Sequence, residues 1–193
     1  MRIIAGTAKG RKLLSVPETM PVRPISDRIK QSLFDILRPR IPAGFFLDLF
    51  AGTGAVGLEA LSRGAAKVCF VEKEKVCVSV IEKNARRMGF ADKARVFRAD
   101  VSGDLKWLAQ FGDGGTFDII FLGPPYRDAA DRPLAFTSGV LANIASAGIA
   151  APEGWIVSQR FWREAIVVPP GYELFRECKY GDTRVAFIRR GRP

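Results

Sequence analysis

The chain of 193 residues contains no histidine. That absence excludes Ser-His-Asp and Cys-His triads, histidine-ligated zinc and histidine general bases together, and no metal is expected. Cysteine is scarce: Cys69, Cys77 and Cys178 are odd in number and show no CxxC spacing. They predict reduced thiols in a cytoplasmic protein, not a disulfide framework. No apolar run approaches the ~20 residues of a membrane helix. The opening Met1-Arg2-Ile3-Ile4-Ala5-Gly6 lacks a signal-peptide core, so no membrane partner is expected. Repeats and low-complexity segments are also missing. Chemistry must run on carboxylates, amides, aromatics, backbone groups or a bound cofactor.

Hydrophobic residues at 48% and charged residues at 26% describe an ordinary globular chain. A globule of this length buries roughly 70% of its unfolded surface and needs no covalent staples. The net charge of +10 is unevenly placed. Residues 1–40 carry nine basic side chains against three acidic ones, and residues 183–193 carry four arginines and no acid, so the stretch between is neutral. Cationic ends suit a polyanionic partner, because Lys and Arg neutralise phosphates and release counterions. A solvated, solubilising charge is the blander alternative. Charge alone does not separate RNA from DNA.

Residues 1–16 read as a short basic hairpin, with Arg2–Ala5 and Arg11–Leu14 flanking a Gly6…Gly10 turn. Pro17, Pro21 and Pro24 disfavour regular structure before Ser26, which is placed to cap a helix running to Pro39. From residue 45 strands and helices alternate. Strands are predicted at Phe45–Phe50, Lys67–Val71, Arg95–Arg98, Phe117–Leu122, Trp155–Ser158, Glu173–Arg176 and Arg184–Ile188. Helices are predicted over about 55–63, 74–88, 102–110 and 128–146. Apolar strands spaced by helices imply a parallel sheet covered on both faces. The last two strands form an antiparallel hairpin. The expected fold is doubly wound α/β with a small basic N-terminal extension.

The segment Phe46-Leu47-Asp48-Leu49-Phe50-Ala51-Gly52-Thr53-Gly54-Ala55-Val56-Gly57 ends the first core strand and opens a helix. Its glycines let a ligand approach the backbone at the carboxyl end of the strand. Gly52, Gly54 and Gly57 match GxGxxG, and Glu72 lies 20 positions after Gly52, which also suits a nicotinamide dinucleotide. Asp48 discriminates, because a lone carboxylate in a buried strand needs compensation. S-adenosylmethionine brings an ammonium and a sulfonium, whereas NAD would set phosphates beside Asp48. Glu72 is placed to accept from the ribose hydroxyls. Asp100 either reaches the adenine amino group or caps the 102–110 helix.

The fourth strand ends in Gly123-Pro124-Pro125-Tyr126. Paired prolines make a rigid loop whose carbonyls lack local donors, and Tyr126 offers a flat face on which a base can stack. Trp107 and Phe111 are expected to pack, Cys69 and Cys77 to fill the core, and Trp155 and Trp162 to carry no chemistry. Ser158-Gln159-Arg160 lies on the ligand-bearing edge, where a substrate contact is suggested.

These features together resemble the RsmD-type methyltransferases, a class I S-adenosylmethionine-dependent family that modifies a guanine N2 of small-subunit ribosomal RNA. The likeness is carried by DLFAGTG, VEKE, the strand-four PPY, and the closing hairpin from Tyr180. It is most specific in the N-terminal Gly6, Lys9, Gly10, Arg11, Arg23, Pro24, Ser26, Asp27 and Arg28. One position departs: the family has Asp or Asn before Pro-Pro-Tyr, and Gly123 stands here.

The resemblance implies a Rossmann-like seven-stranded sheet. It divides the chain into a basic extension of hairpin and helix over residues 1–40 and a methyltransferase domain over residues 41–193. S-adenosylmethionine is expected at Asp48, Phe50, Ala51, Gly52, Thr53 and Gly54, at Glu72, Lys73, Asp100 and Val101, and at Arg23 and Ser26 of the extension. Gly123, Pro124, Pro125 and Tyr126 are expected to hold the target amine, with Asp128 as a replacement acceptor. Arg2, Lys9, Arg11, Lys12, Arg28 and Arg184 are expected to grip ribosomal RNA or the small ribosomal subunit. A cytoplasmic monomer transferring methyl to a guanine N2 is the main expectation. A cofactor-binding RNA-binding or assembly protein with weak or lost catalysis and an NAD-dependent oxidoreductase are the alternatives.

Overall fold

The computed structural model describes residues 1–17, 25–128 and 132–191. Ser26 begins the first helix, α1 (Asp27–Leu37), its hydroxyl accepting from the Ile29 amide at 3.3 Å. Leu33, Phe34 and Leu37 form the buried stripe of this helix, and Pro39 follows in a short 3-10 turn, Arg38–Arg40. The alternating part then runs β1 (Phe45–Leu49), α2 (Ala55–Ser62), β2 (Lys67–Glu72), α3 (Lys75–Met88), β3 (Ala94–Arg98), β4 (Phe117–Leu122), α4 (Thr137–Ala147) and β5 (Ala150–Phe161). The hairpin β6 (Tyr172–Tyr180) and β7 (Thr183–Arg190) closes it.

The seven strands form one sheet in the order β3-β2-β1-β4-β5-β7-β6. Pairings are parallel from β3 to β5, and β7 runs antiparallel to both β5 and β6. The chain winds outward in opposite directions from β1 and β4. Their neighbouring carboxyl ends are therefore the topological switch point, where crossovers leave a crevice for a ligand. One face of the sheet, with Phe46, Phe70, Ile119, Phe121 and Phe187, packs on α1, α2 and α3. The other, with Leu47, Val71, Ile120, Leu122 and Ile156, packs on α4 and a 3-10 segment.

The expected N-terminal hairpin forms: Arg2 bridges Lys12, the Ile3 amide donates to the Arg11 carbonyl at 3.0 Å and the Leu13 amide to the Met1 carbonyl at 3.2 Å. Between its arms other backbone donors face α2: the Ile4 and Ala5 amides donate to Glu59 at 2.8 and 3.0 Å, and the Ala8 amide to Ser62 Oγ at 2.9 Å. Three local expectations change. The predicted 102–110 helix is a 3-10 helix over Lys106–Phe111. Asp100 and Asp104 take the amides of Ser102 and Lys106 into local turns, which compete with an α-helical start. Helix α4 begins at Thr137, with Pro133 in the extended segment before it, and residues 129–131 of the expected helix lie outside the described residues. Strands β5, β6 and β7 exceed their apolar runs because ladder pairing extends them, β5 along β7 out to Phe161 and β6 and β7 to a tight turn at Gly181, φ +56°.

The N-terminal segment is built into the same core as the sheet, with Ile3 and Phe34 fully buried. Glu59 anchors it: besides the Ile4 and Ala5 amides, its carboxylate meets Arg63 Nε at 2.8 Å and Lys30 Nζ at 3.5 Å. Lys30 is itself buried and donates to the Arg2 carbonyl at 2.6 Å. Gly6 belongs to this docking. Its φ is +83°, and a Cβ there would lie 1.8 Å from the Ser62 carbonyl oxygen.

Candidate active site

Between β1 and α2 the backbone turns through left-handed residues at Phe50 (φ +59°), Gly52 (+56°) and Gly54 (+78°). Glycine takes that conformation without penalty. Phe50 does not, and such strain persists where the surroundings over-determine it. Its ring lies 5.8 Å from Phe136. Gly57 serves a different purpose, since a Cβ at this position would stand 2.3 Å from Phe70 Cε1. Its absence lets α2 lie close on β2 and lets the Gly57 amide reach Asp48 at 2.9 Å.

Three acidic side chains end strands on this edge. Asp48 is 1% exposed and its carboxylate has that one amide donor. Burial, reinforced by the Glu72 charge, pushes its pKa up to about 8. Glu72 receives the Gly52 amide at 2.8 Å and the Glu74 amide at 3.0 Å, which ties the end of β2 to the glycine loop. Asp100 receives the Ser102 hydroxyl and amide on one oxygen, and these bonds hold its carboxyl below the usual range.

All three line one cavity of about 550 Å³. Phe50, Ala51, Gly52, Thr53, Lys73 and Val101 line it with them, and Met1 and Ile25 contribute from the N-terminal segment. Gly54 and Ser26 do not line it: Gly54 is the left-handed residue before α2, and the Ser26 hydroxyl is committed to capping α1. Arg23 lies outside the described residues.

Gly123, Pro124, Pro125 and Tyr126 form the opposite wall. The Gly123 amide lies 3.4 Å from the Leu49 carbonyl, so the loop starts against β1. Tyr126 is held more firmly than a swinging platform would be. Its hydroxyl pairs with Thr183 Oγ1 at 3.1 Å and accepts from Gln159 Nε2 at 3.0 Å, leaving the residue 8% exposed. Asp128 also lines the cavity, but both of its oxygens bond Arg132, one to the amide at 2.9 Å and one to Nε at 2.7 Å. That engagement opposes its use as a spare acceptor.

Arg2, Lys9, Arg11, Lys12 and Arg28 are exposed. Arg2 meets Asp27 at 3.3 Å, and Arg11 donates to the Arg87 carbonyl. Arg184 braces the sheet, bonding Glu177 at 2.6 Å beside the buried Arg160, which bonds the same carboxylate at 2.7 Å. Burial would raise the Glu177 carboxyl, but its two arginines outweigh that and hold it low. Burial also pushes the Cys69 and Cys77 thiols up to about 11, so neither is a nucleophile at neutral pH.

Sequence reasoning missed Glu59, Asn84 and Gln159. Glu59 carries the same signal as Asp48, a lone acid within an apolar run, Ala55 to Leu61. Asn84 bonds the Leu14 backbone and the Thr53 carbonyl, joining the N-terminal segment to the glycine loop. Nothing in its helix marks it. Gln159 stood in a stretch suspected of substrate contact, and its anchoring of Tyr126 emerges only when β5 and β4 pair.

A sheet of this order with a reversed seventh strand belongs to the Rossmann-like methyltransferases. The solved structure of yhhF from Escherichia coli superposes with a TM-score of 0.81 at 32% identity, over 98% of this chain and 97% of that one. The chain belongs to the family described as Conserved hypothetical protein 95, which matches residues 1–189. It is 38% identical to YlbH of Bacillus subtilis over 191 residues, 98% of this chain and 99% of that protein. Ribosomal RNA small subunit methyltransferase D of Haemophilus influenzae is 40% identical over 128 residues, 66% of this chain and 64% of that enzyme. The protein is thus a member of a methyltransferase family, and the oxidoreductase alternative finds no support among its relatives.

Proposed function

We propose that the protein transfers a methyl group from S-adenosylmethionine to the exocyclic N2 amine of a guanine in small-subunit ribosomal RNA. The observation that carries it is the cavity at the β1/β4 switch point, where a buried and under-compensated Asp48 faces the glycine loop. The donor set fits a cationic aminoacyl group at Asp48, ribose hydroxyls at Glu72, and an adenine between apolar side chains such as Val71 and Val101 with Asp100 at its edge. When bound, this cofactor supplies an electrophilic methyl on a sulfonium.

The protein's contribution is positioning, which can supply much of a displacement's acceleration. The Gly123 and Pro124 carbonyls are offered as acceptors for the target amine. Orienting its N–H groups there draws the nitrogen lone pair out of conjugation with the ring. Pro125 and the anchored Tyr126 keep that loop in place and exclude water. A guanine inside a helix cannot present its N2 to such a cavity, so the nucleotide must be unstacked on entry. Arg2, Lys9, Arg11, Lys12 and Arg28 supply sequence-independent phosphate contacts.

Labelled methyl transfer to ribosomal RNA and to small subunits, followed by nucleoside analysis, tests this. N2-methylguanosine is expected. No incorporation at saturating cofactor, or tight calorimetric binding of NAD in its place, would overturn it.

A further inference from the structure

Phe161 and Trp162 are not accounted for by core packing. The other tryptophans, Trp107 and Trp155, pack on the two hydrophobic clusters with their neighbouring phenylalanines. Phe161 and Trp162 pack on neither, although both are half-buried. They stand at the carboxyl end of β5, two and three positions beyond the cavity-lining Gln159. The rings form a chain leading outward: Tyr126 to Phe161 at 6.0 Å, then Phe161 to Trp162 at 6.2 Å.

Cations accompany each step. Arg127 lies 5.7 Å over Phe161, while Arg163 and Lys179 lie 4.8 and 5.1 Å over Trp162. Arg163 and Lys179 are exposed, and the Trp162 amide is fixed to the Asp182 carbonyl of the β6–β7 turn at 3.0 Å. Asp182 is the acidic residue of that turn. Two acids near this end of the sheet are engaged elsewhere: Glu164 binds the Thr137 amide and Glu177 is held by Arg160 and Arg184. Aromatic faces interleaved with Lys and Arg are what single-stranded nucleic acid requires, since every base has a face to stack and every linkage a phosphate.

We propose that Trp162, with Arg163 and Lys179, forms a stacking subsite for a nucleotide flanking the target guanine. The inference deepens the methyl-transfer assignment and rests on it for the identity of the strand as RNA. A target nucleotide swung into the cavity leaves its neighbour unstacked at the mouth, and the Phe161–Trp162 shelf lies where that neighbour emerges. Arg163 and Lys179 then exchange cation–π contact with the ring for contact with the flanking phosphates.

The test uses a fluorescein-labelled single-stranded RNA with one central guanine, and the same RNA made abasic at either neighbour. Trp162→Ala is expected to weaken binding roughly 5- to 150-fold, and Trp162→Phe to restore most of it. Calorimetric S-adenosylmethionine binding stays unchanged in both. An abasic neighbour on one side weakens the native protein and leaves Trp162→Ala unaffected. Arg163→Ala lowers the salt dependence of binding. Equal affinity of native and Trp162→Ala protein, or the same abasic penalty in both, would overturn the subsite. If the native protein binds this RNA but methylates none, the reaction assignment fails, and the comparison of Trp162 variants still decides the subsite.

Discussion

Asp48 makes the cofactor assignment measurable without any turnover. In the free protein its pKa is about 8, so at pH 7 about nine-tenths of molecules carry it protonated. A cationic ligand prefers the carboxylate and draws the pKa back toward its ordinary range. Binding therefore releases close to one proton at neutral pH, and affinity rises by up to about 50-fold between pH 6 and pH 8 before levelling off. Calorimetry of S-adenosylmethionine in buffers of contrasting ionisation enthalpy reads the proton directly. Asp48→Asn should abolish both the proton release and the pH dependence, and weaken binding. The same shift has the opposite sign for folding without ligand. A carboxyl raised from 3.8 to about 8 adds stability at low pH that is lost as pH climbs through 8, and Asp48→Asn should flatten that decline in thermal melts. A flat affinity across this range with no proton released would refute the electrostatic pairing on which the cofactor assignment stands.

Other perturbations reach the supports of the site. Glu59→Gln leaves the buried Lys30 without its counter-charge and should cost about 3–5 kcal/mol in chemical denaturation. Part of that returns at alkaline pH, because burial already lowers the Lys30 pKa and the native state then no longer holds an uncompensated proton; limited proteolysis should show residues 1–17 released. Gly57→Ala sets a methyl 2.3 Å from the Phe70 ring, which should cost about 1–3 kcal/mol and weaken cofactor binding by displacing the amide that holds Asp48. Gly123→Asp brings its Cβ 3.0 Å from Phe121 Cε1, a contact met by a small ring shift. With backbone carbonyls serving as acceptors, turnover should rise by less than about tenfold; a gain of 10²–10³ would show that the native loop lacks an acceptor.

The central strands were legible because a buried parallel strand is predominantly apolar, and Phe46–Leu49 and Phe117–Leu122 are so but for one acid each, Asp48 and Asp118. The glycine loop was equally plain, since residues with left-handed backbone or no room for Cβ leave glycine in the text. Asp48 stood out as a charge among apolar neighbours, and its burial bears that out. The 102–110 helix was misjudged because short Asp-centred turns outcompete an α-helix there; the N-terminal hairpin was legible, but not its docking through Glu59 and Ser62 on a helix 54 or 55 positions away.

Local pattern thus determined the strands, the order of chemistry along the chain and the acidic strand ends. Each follows from a residue's own backbone freedom or solvation cost, which neighbours in sequence already express. Tertiary structure alone decided that Glu59, Lys30 and Asn84 fasten the N-terminal segment beside the glycine loop, that Gln159 and Thr183 lock Tyr126, and that Trp162 is set outside both cores. Those outcomes are pairings between groups tens of residues apart. No single residue records its partner, because each buried polar group needs a complement and only the folded chain determines which one it meets.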